Sequence, residues 1–528
     1  MCQSFSMAST PEQIAEITAG YTFDSPAIDL GVLVAEGEPV ASTRIRMSLS
    51  MLNRHGLVAG ATGTGKTRTL QLMAEQISRA GVSVFAADIK GDLSGIAVPG
   101  EPSEKLTART QKIGQDWQPE GCPVEFYALG GQGSGVPLRA TVSSFGPILL
   151  SKVLGLNQTQ ESSLGLVFHY ADTRGLPLLD LADLKQVMQY LTSDEGKPDL
   201  KELGGLSSAT VGVILRSLVT LETQGGEEFF GETEFNSTDL IRTTADGHGV
   251  ISLLELPNLQ DRPAIFSTFI MWLLADLFHD LPEIGDVDVP KLVFFFDEAH
   301  LLFDGASKAF LDAIAQTVRL IRSKGVGIFF VTQVPSDVPD DVLAQLGSRV
   351  QHQLRAHTPK DAKALKAAVE TYPSSAYDLA QTLQSLGIGE AIVTVLNPNG
   401  APTPVAWTRM LAPLGSMKPL DPQWLADGVS RSEMQAKYGP AVNRDSAYEM
   451  LTRRLEEGAA KAQAEAEAAA QAKAEAADRP APRSSGGSGS RSRSKSGVEK
   501  VLSSPTFWNQ VMRVGGQVVR TFWGTARR

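Results

Sequence analysis

The sequence predicts an α/β protein built on a mainly parallel sheet, with a helical insertion and a helical or disordered C-terminal tail. Short apolar runs alternate with helical segments along most of the chain, which is typical of right-handed strand–helix–strand units. The run at 292–296 is wholly apolar, as expected of a strand buried on both faces of a sheet. Of the 528 residues, 42% are hydrophobic, which provides for a sizeable core and excludes a wholly disordered chain.

The predicted elements follow one another in a regular order. Small strands at 30–34 and 45–49 precede a glycine-rich loop at 60–67, which opens a helix. A mostly helical insertion is expected from about 147 to 223. The remaining predictions are strands at 82–86, 124–128, 250–256, 292–296 and 327–332, and helices at 264–281 and 310–323.

Composition narrows the class of protein. The two cysteines, Cys2 and Cys122, form neither a disulfide framework nor a CxxC zinc motif. The N-terminus lacks the basic segment followed by an apolar segment that is typical of a signal peptide, so we expect none. The apolar stretch at 264–281 contains Asp276 and His279. We therefore expect a buried helix there rather than a membrane span, and a cytoplasmic protein.

Charge is distributed unevenly. The formal net charge is −11, but residues 479–528 contain ten Lys or Arg and one acid, so the rest of the chain carries −20. Such an acidic body is not typical of a nucleic-acid-binding protein. Any contact with DNA is therefore expected to use a local surface or the basic tail.

Residues 60–67 read GATGTGKT and match GxxxxGK[ST] at every fixed position. A strand-like segment precedes them and a helical segment follows, which is the context that this motif requires. Backbone N–H groups of such a loop bind phosphate oxygens, so we predict that Lys66 reaches the β- and γ-phosphates of ATP and Thr67 ligates Mg²⁺. The alternative is a chance glycine-rich turn. The predicted nucleotide-binding residues are Gly60, Ala61, Thr62, Gly63, Thr64, Gly65, Lys66, Thr67 and Arg68.

Polar residues follow three of the predicted strands at their carboxyl ends, where open α/β sheets bind ligands. Asp297 would hold a bound Mg²⁺, and Glu298 would orient and deprotonate the attacking water. Gln333 would contact the γ-phosphate or the water. Asp88 would support the metal shell or stabilise a turn. The alternative for Asp297 and Glu298 is that they cap the next helix.

Such a site lacks a positive charge on the far side of the γ-phosphate. Ring ATPases supply an arginine there from the next subunit. We predict Arg322 for this role, although cations are also favoured at the C-terminus of a helix. Arg319, Arg349 and Arg355 are further candidates.

Together these residues resemble the HerA/FtsK superfamily of hexameric DNA-pumping ATPases, and most closely the bacterial HerA-helicase-like proteins. The resemblance covers about residues 20–430 and is carried by the sequences at 53–57, 60–67, 88–95, 296–300, 331–333 and 354–359. It implies a RecA-like P-loop core, a hexameric ring, Mg-ATP at subunit interfaces and DNA in the central pore. It also implies the roles given above for Lys66, Thr67, Asp297 and Glu298, a sensor role for Gln333, and trans-acting roles near Arg322 and Arg54.

The predicted organisation has five parts. They are a short N-terminal segment with small strands (1–50), a RecA-like ATPase core (51–415), C-terminal helices including an alanine-rich helix (416–478), a flexible basic linker (479–497) and an amphipathic basic tail (498–528).

Other functions remain open at this point. The acidic body favours an ATP-driven assembly or secretion motor that does not act on DNA, or a nucleotide switch with little turnover. The sequence Asp-Glu-Ala-His at 297–300 suggests a monomeric DEAH-box helicase, but no second lobe of the size that such an enzyme needs follows it. The basic tail could bind DNA, an anionic membrane or a neighbouring subunit.

Overall fold

The computed structural model describes residues 10–477, apart from 131–132, 203, 257–262, 441 and 443. The chain divides into two units, Met1–Glu457 and Gly458–Arg528, and the first contains the sheet described below. The predicted basic linker (479–497) and basic tail (498–528) lie outside the described residues.

Twelve strands are found in the described residues. They are β1 Ala27–Ala35, β2 Glu38–Ser48, β3 Gly56–Ala59, β4 Ser83–Asp88, β5 Val124–Leu129, β6 Val136–Leu138, β7 Ile251–Glu255, β8 Leu292–Phe296, β9 Val326–Thr332, β10 Ser348–Gln351, β11 Glu390–Thr394 and β12 Ala406–Met410.

The helices connect these strands or follow them. They are α1 Pro11–Gly20, α2 Lys66–Arg79, α3 Glu104–Lys112, α4 Val142–Val153, α5 Gln158–Thr173, α6 Leu181–Thr192, α7 Lys197–Glu202, α8 Ser208–Thr223, α9 Gly226–Phe229, α10 Pro263–Asp280, α11 His300–Phe303, α12 Lys308–Ile321, α13 Asp340–Leu343, α14 Pro359–Glu370, α15 Leu379–Ser385, α16 Pro422–Ser430, α17 Glu433–Tyr438 and α18 Ala447–Ala477.

The strands form one sheet in the order β2-β1-β12-β11-β10-β3-β9-β8-β4-β7-β5-β6. All pairs from β10 to β6 are parallel, and those from β2 to β10 are antiparallel. The predicted α/β fold with a mainly parallel sheet is therefore confirmed. Because β3, β9, β8 and β4 are adjacent and parallel, whatever follows them in sequence meets at one edge of the sheet.

The middle of the sheet is apolar on both faces. Side chains alternate between the faces of a strand, so Phe294 and Phe296 share one face of β8 and Phe295 lies on the other. The first two rings stack with centroids 5.6 Å apart, and Phe295 stacks on Phe329 of β9 at 5.3 Å. Every residue of β8 and β9 is buried. This double burial explains the uninterrupted apolar runs, and it fixes rigidly the residues at which both strands end.

The antiparallel half of the sheet differs from expectation. β1 and β2 are longer than predicted, and β1 pairs with β12, so residues 27–48 belong to the same sheet as the core. β10, β11 and β12 were not predicted at all. β12 alternates buried and half-buried residues, and β2 has only one face buried, so neither produces the apolar run by which the buried strands were recognised.

The helices follow the predicted pattern more closely. Helices α4 to α8 occupy the predicted insertion, and α10 is buried, with Phe266 and Leu273 inaccessible to solvent. The alanine-rich segment lies in α18, whose residues 456–472 are all exposed. Within the described part of the chain, no helix has both the length and the apolarity to cross a membrane.

Candidate active site

The glycine-rich loop connects β3 to α2 and is anchored on three sides by backbone hydrogen bonds. Gly60 N–H donates to Thr332 O of β9 at 3.2 Å, and Ala61 N–H donates to Gln353 O after β10 at 2.8 Å. On the third side, Gly389 N–H donates to Thr64 O at 2.9 Å. The loop is therefore held in shape by strands that lie far from it in sequence.

Two glycines of the loop are required by its packing. A Cβ atom at Gly60 would lie 2.5 Å from His352 Cβ, and one at Gly65 would lie 3.2 Å from Gly389 Cα. Gly65 also has φ +119°, a left-handed conformation that residues with a side chain rarely adopt, immediately before α2 begins at Lys66. At Gly63 a Cβ atom would meet nothing within 4 Å, so the loop is open on that side.

Lys66 is buried, and its ammonium is bound by the loop itself. Nζ donates to Gly60 O at 2.6 Å and to Ala61 O at 3.3 Å. Burial lowers the pKa of Lys66, and the opposing charges of Glu298 and Asp297 reduce this effect. The charges of Lys66 and the two acids therefore act on one another.

The two acids follow β8 in a strained turn. Glu298 has φ +47°, and its N–H donates to Asp297 Oδ1 at 2.9 Å. Asp297 Oδ2 is buried without a protein hydrogen-bond partner. Burial, together with the charge of Glu298, raises the pKa of Asp297 to about 7. A buried carboxylate oxygen without a partner fits a ligand of Mg²⁺.

One oxygen of Glu298 is held by Lys90, whereas the other, Oε2, is buried without a protein hydrogen-bond partner. The Lys90 ammonium donates to its Oε1, and His300 Nδ1 lies 3.4 Å from its Oε2. Burial pushes the pKa of Glu298 upward, but the hydrogen bond and charge of Lys90 outweigh burial, so the pKa falls below its usual value. Glu298 is therefore a carboxylate at neutral pH.

Strand register brings the predicted residues to one edge. Ala59 is paired with Thr332, so the glycine loop begins beside Gln333. On the other side of β9, Phe296 is paired with Phe330 and also with Ala87 of β4. The loop, Gln333, Asp297 and Asp88 therefore follow four neighbouring parallel strands, the arrangement expected at a ligand-binding edge.

Thr67, Arg68 and Gln333, which were also predicted to contact the nucleotide or its metal, differ in their exposure and in the groups they contact. Thr67 is half-buried in the first turn of α2, next to Lys66. Arg68 Nη1 donates to Gln71 Oε1 at 3.1 Å, and its Nη2 donates to Met417 O. Gln333 is exposed at the end of β9. Arg68 thus contacts protein groups, whereas Thr67 and Gln333 are placed where a nucleotide could meet them.

Asp88 organises the loop that follows β4. Its carboxylate accepts the N–H groups of Lys90 at 3.2 Å, Gly91 at 2.8 Å and Leu93 at 2.8 Å. Of the two roles considered from the sequence, this geometry is that of a turn-stabilising acid.

We expect Asp88→Ala to destabilise the protein by roughly 3 kcal/mol in denaturant unfolding, because three backbone donors lose their acceptor. Asp88→Asn, which keeps one acceptor oxygen, should lose about half as much. A loss of Mg-ATP affinity in Asp88→Ala without any loss of stability would instead indicate a metal-supporting role.

Two of the candidate arginines, Arg322 and Arg54, lie at the same edge of the sheet. Arg322 follows α12, before β9 begins, and Arg54 precedes β3, with Nη2 2.8 Å from Asp286 Oδ1. Burial, together with the charges of Arg322 and Arg54, lowers the pKa of His55 to about 4, so both arginines lie near this histidine. This is the edge opposite the glycine loop.

The other arginines are placed differently. Arg319 is exposed on α12, and Arg349 stacks on Tyr372, with 5.9 Å from its guanidinium carbon to the ring centroid. Arg355 Nη2 lies 3.4 Å from Thr62 O. Arg355 therefore contacts the glycine loop of its own subunit.

Two residues that contact the site were not predicted for it. Lys90 lies in the segment 88–95, in which only Asp88 has a predicted role. His352 is fully buried, and its Nδ1 donates to Glu390 O at 2.8 Å, so its Nε2 accepts from Thr69 Oγ1 at 2.9 Å. His352 thereby connects α2 to β11. No local pattern marks it, because its partners lie 283 and 38 residues away.

Burial lowers the pKa of His352 to about 4. The unfolded chain binds this proton near pH 6.5, so stability is lost as the pH falls from about 6.5 toward 4, by roughly 2 kcal/mol between pH 7 and 5. We expect His352→Asn to unfold at lower denaturant concentration at pH 7 and to lose less further stability at pH 5. His357→Asn, at an exposed position, is the control and should keep the wild-type pH dependence.

The fold and this geometry together define a P-loop ATPase, with ATP and Mg²⁺ as its ligands. The family model described as "Helicase HerA-like C-terminal" matches residues 34–528, and the chain belongs to this family.

Individual proteins agree with this assignment. The DNA double-strand break repair helicase HerA of Sulfolobus acidocaldarius is 21% identical over 411 residues, covering 73% of this chain and 70% of that protein. The HerA helicase of Saccharolobus solfataricus is 23% identical over 397 residues, with the same coverage. Among solved structures, the plasmid coupling protein TrwB in complex with ADP and Mg²⁺ is similar, with a TM-score of 0.50 and 14% identity over 77% of this chain and 93% of that chain. This last likeness concerns the fold alone.

Proposed function

We propose that this ATPase is a DNA translocase or helicase that works as a ring, with six subunits as in the family it resembles. ATP would bind between neighbouring subunits. The observation that carries the proposal is the separation of Arg322 and Arg54 from the nucleotide site. An ATP-dependent motor of this kind works where ATP and DNA are both present, so we place it in the cytoplasm.

The separation follows from the length of β9. Arg322 precedes this strand and Gln333 follows it. At about 3.3 Å per residue, a strand of this length separates its ends by roughly 20 Å, so Arg322 cannot reach a γ-phosphate on its own subunit. In a head-to-tail ring, the edge with Arg54 and Arg322 on one subunit would face the nucleotide edge of the next. This arrangement would supply the missing positive charge in trans.

The chemical roles follow from the geometry of the nucleotide edge. Lys66 would bind the phosphates after leaving the carbonyls of Gly60 and Ala61. Thr67 and Asp297 would hold Mg²⁺, which offsets charge on the phosphates. Glu298, already a carboxylate, would accept a proton from the attacking water, and Gln333 would orient that water or sense the γ-phosphate.

The choice of DNA as the substrate rests on the relatives. The two relatives are named as helicases of DNA double-strand break repair. One observation favours a different cargo: outside residues 479–528, the formal net charge of the chain is −20. An ATP-driven motor that moves protein is therefore the second candidate, and a nucleotide switch with little turnover is a variant of it.

The experiment measures ATP hydrolysis and the mass in solution of the full chain. We expect the mass to increase to that of a ring when ATP is added, and hydrolysis to rise severalfold with DNA and to fall again at high salt. Heparin is the control, because it offers similar negative charge without bases. The proposal would be contradicted if neither single- nor double-stranded DNA changed the rate of ATP hydrolysis and the protein stayed monomeric. Stimulation by heparin equal to that by DNA would favour the second candidate.

A further inference from the structure

Lys90 forms an ion pair with the acid that the reaction needs. Its ammonium donates to Glu298 Oε1, where the glutamate side chain is 7% exposed and the lysine side chain is 38% exposed. The loop that carries Lys90 is fixed by the carboxylate of Asp88, so the position of the lysine is set by the backbone. A buried acid is thus bound by a cation that solvent can reach.

The ammonium groups of both lysines of the site donate hydrogen bonds to oxygen atoms of the protein itself. Lys66 donates to the carbonyls of its own loop, and Lys90 donates to Glu298. The charge of Lys90 lowers the pKa of Lys66, so the two ammonium groups repel each other. An anion that binds to both relieves this repulsion, and the terminal phosphate of ATP is an anion of this kind.

We propose that Lys90 exchanges partners when ATP binds, leaving Glu298 for the terminal phosphate and so freeing this carboxylate to contact water. Lys90 is then a positioning residue that couples the presence of the third phosphate to the readiness of the acid. ADP lacks this phosphate and leaves the ion pair intact. The inference rests on the role proposed for Glu298 but not on DNA as the substrate.

Equilibrium binding tests the exchange without hydrolysis. Mg-ADP and the Mg-bound non-hydrolysable analogue AMP-PNP are titrated into wild type, Lys90→Met and Lys90→Arg. We expect Lys90→Met to bind AMP-PNP about tenfold more weakly and ADP within about twofold of wild type, because only the third phosphate meets Lys90. Lys90→Arg, which keeps the charge, should restore most of the AMP-PNP affinity. Equal losses for both nucleotides, or no loss for either, would overturn the proposal.

A double substitution tests the competition between partners. Glu298→Gln removes the ionic partner of Lys90, so AMP-PNP should bind more tightly than to wild type. This gain should shrink severalfold when Glu298→Gln is combined with Lys90→Met, because no lysine remains to be released. A gain of the same size in both backgrounds would mean that Lys90 does not exchange partners.

Two controls separate the loss of partner exchange from a general effect of removing a lysine and from a failure to fold. Lys112→Met removes a lysine from an exposed ion pair with Glu38 and should leave both nucleotide affinities unchanged. Thermal unfolding of Lys90→Met and Lys90→Arg checks that both variants fold. If Glu298→Gln still hydrolyses ATP at the wild-type rate, the role proposed for Glu298 fails, whereas the partner exchange is still read from binding alone.

Discussion

Glu298→Gln should reduce the rate of ATP hydrolysis by at least about 100-fold without weakening ATP binding. The amide is nearly the same size as the carboxylate and can still accept a hydrogen bond from Lys90, but it cannot take a proton from water. Steady-state hydrolysis and equilibrium binding of ATP measure the two effects separately. Lys66→Ala should lose nucleotide affinity as well as activity, because the Lys66 ammonium would contact the phosphates both in bound ATP and in the transition state.

Glu255→Gln is a matched control for this prediction. Glu255 ends β7, two strands from β8 at the same edge of the sheet, and burial raises its pKa to about 7. The same substitution there should change the rate of ATP hydrolysis by less than about threefold. Glu255 is paired in register with Asp88, and its strand is not a neighbour of β3, which leads into the glycine loop. Equal losses in the two variants would mean that the rate depends on the charge of this edge and not on one base.

The nucleotide edge could be predicted in outline because its parts are coded locally. The glycine positions of 60–67 specify a loop before a helix, and the apolar run at 292–296 specifies a strand that ends at two acids. What brings them together is the pairing of β3, β9 and β8, which only the general rule for parallel sheets indicated in advance. The loop and the acids are 230 residues apart in the chain, yet each follows a strand at the same edge.

Contacts made through the fold could not be predicted. The hydrogen bond from Lys90 to Glu298 depends on the pairing of β4 with β8, and the anchoring of the glycine loop depends on His352 and Gly389. These residues carry no pattern of their own, since a lone lysine or histidine is ordinary in sequence. Asp88 shows the opposite case: its position after a strand suggested two roles, and only its hydrogen bonds with the next loop distinguish them.

Arg322→Ala is the second prediction with a large effect. If Arg322 stabilises charge on the γ-phosphate of a neighbouring subunit, its loss should reduce hydrolysis by about 1,000-fold while ATP binding and thermal stability stay close to wild type. Arg322 is exposed, so its removal leaves no cavity. Arg319→Ala is the control, because Arg319 is exposed about one helical turn earlier on α12 and should have a small effect.

Co-expression of two inactive variants decides whether Arg322 acts in trans. In a mixed ring of Arg322→Ala and Glu298→Gln subunits, roughly a quarter of the interfaces join an intact Glu298 to an intact Arg322. Hydrolysis should therefore recover well above the level of either variant alone. If mixed rings form but their activity equals the average of the two parents, Arg322 does not serve the neighbouring site. The separation of Arg322 from Gln333 along β9 would then reflect only the favourable placement of a cation at the end of a helix.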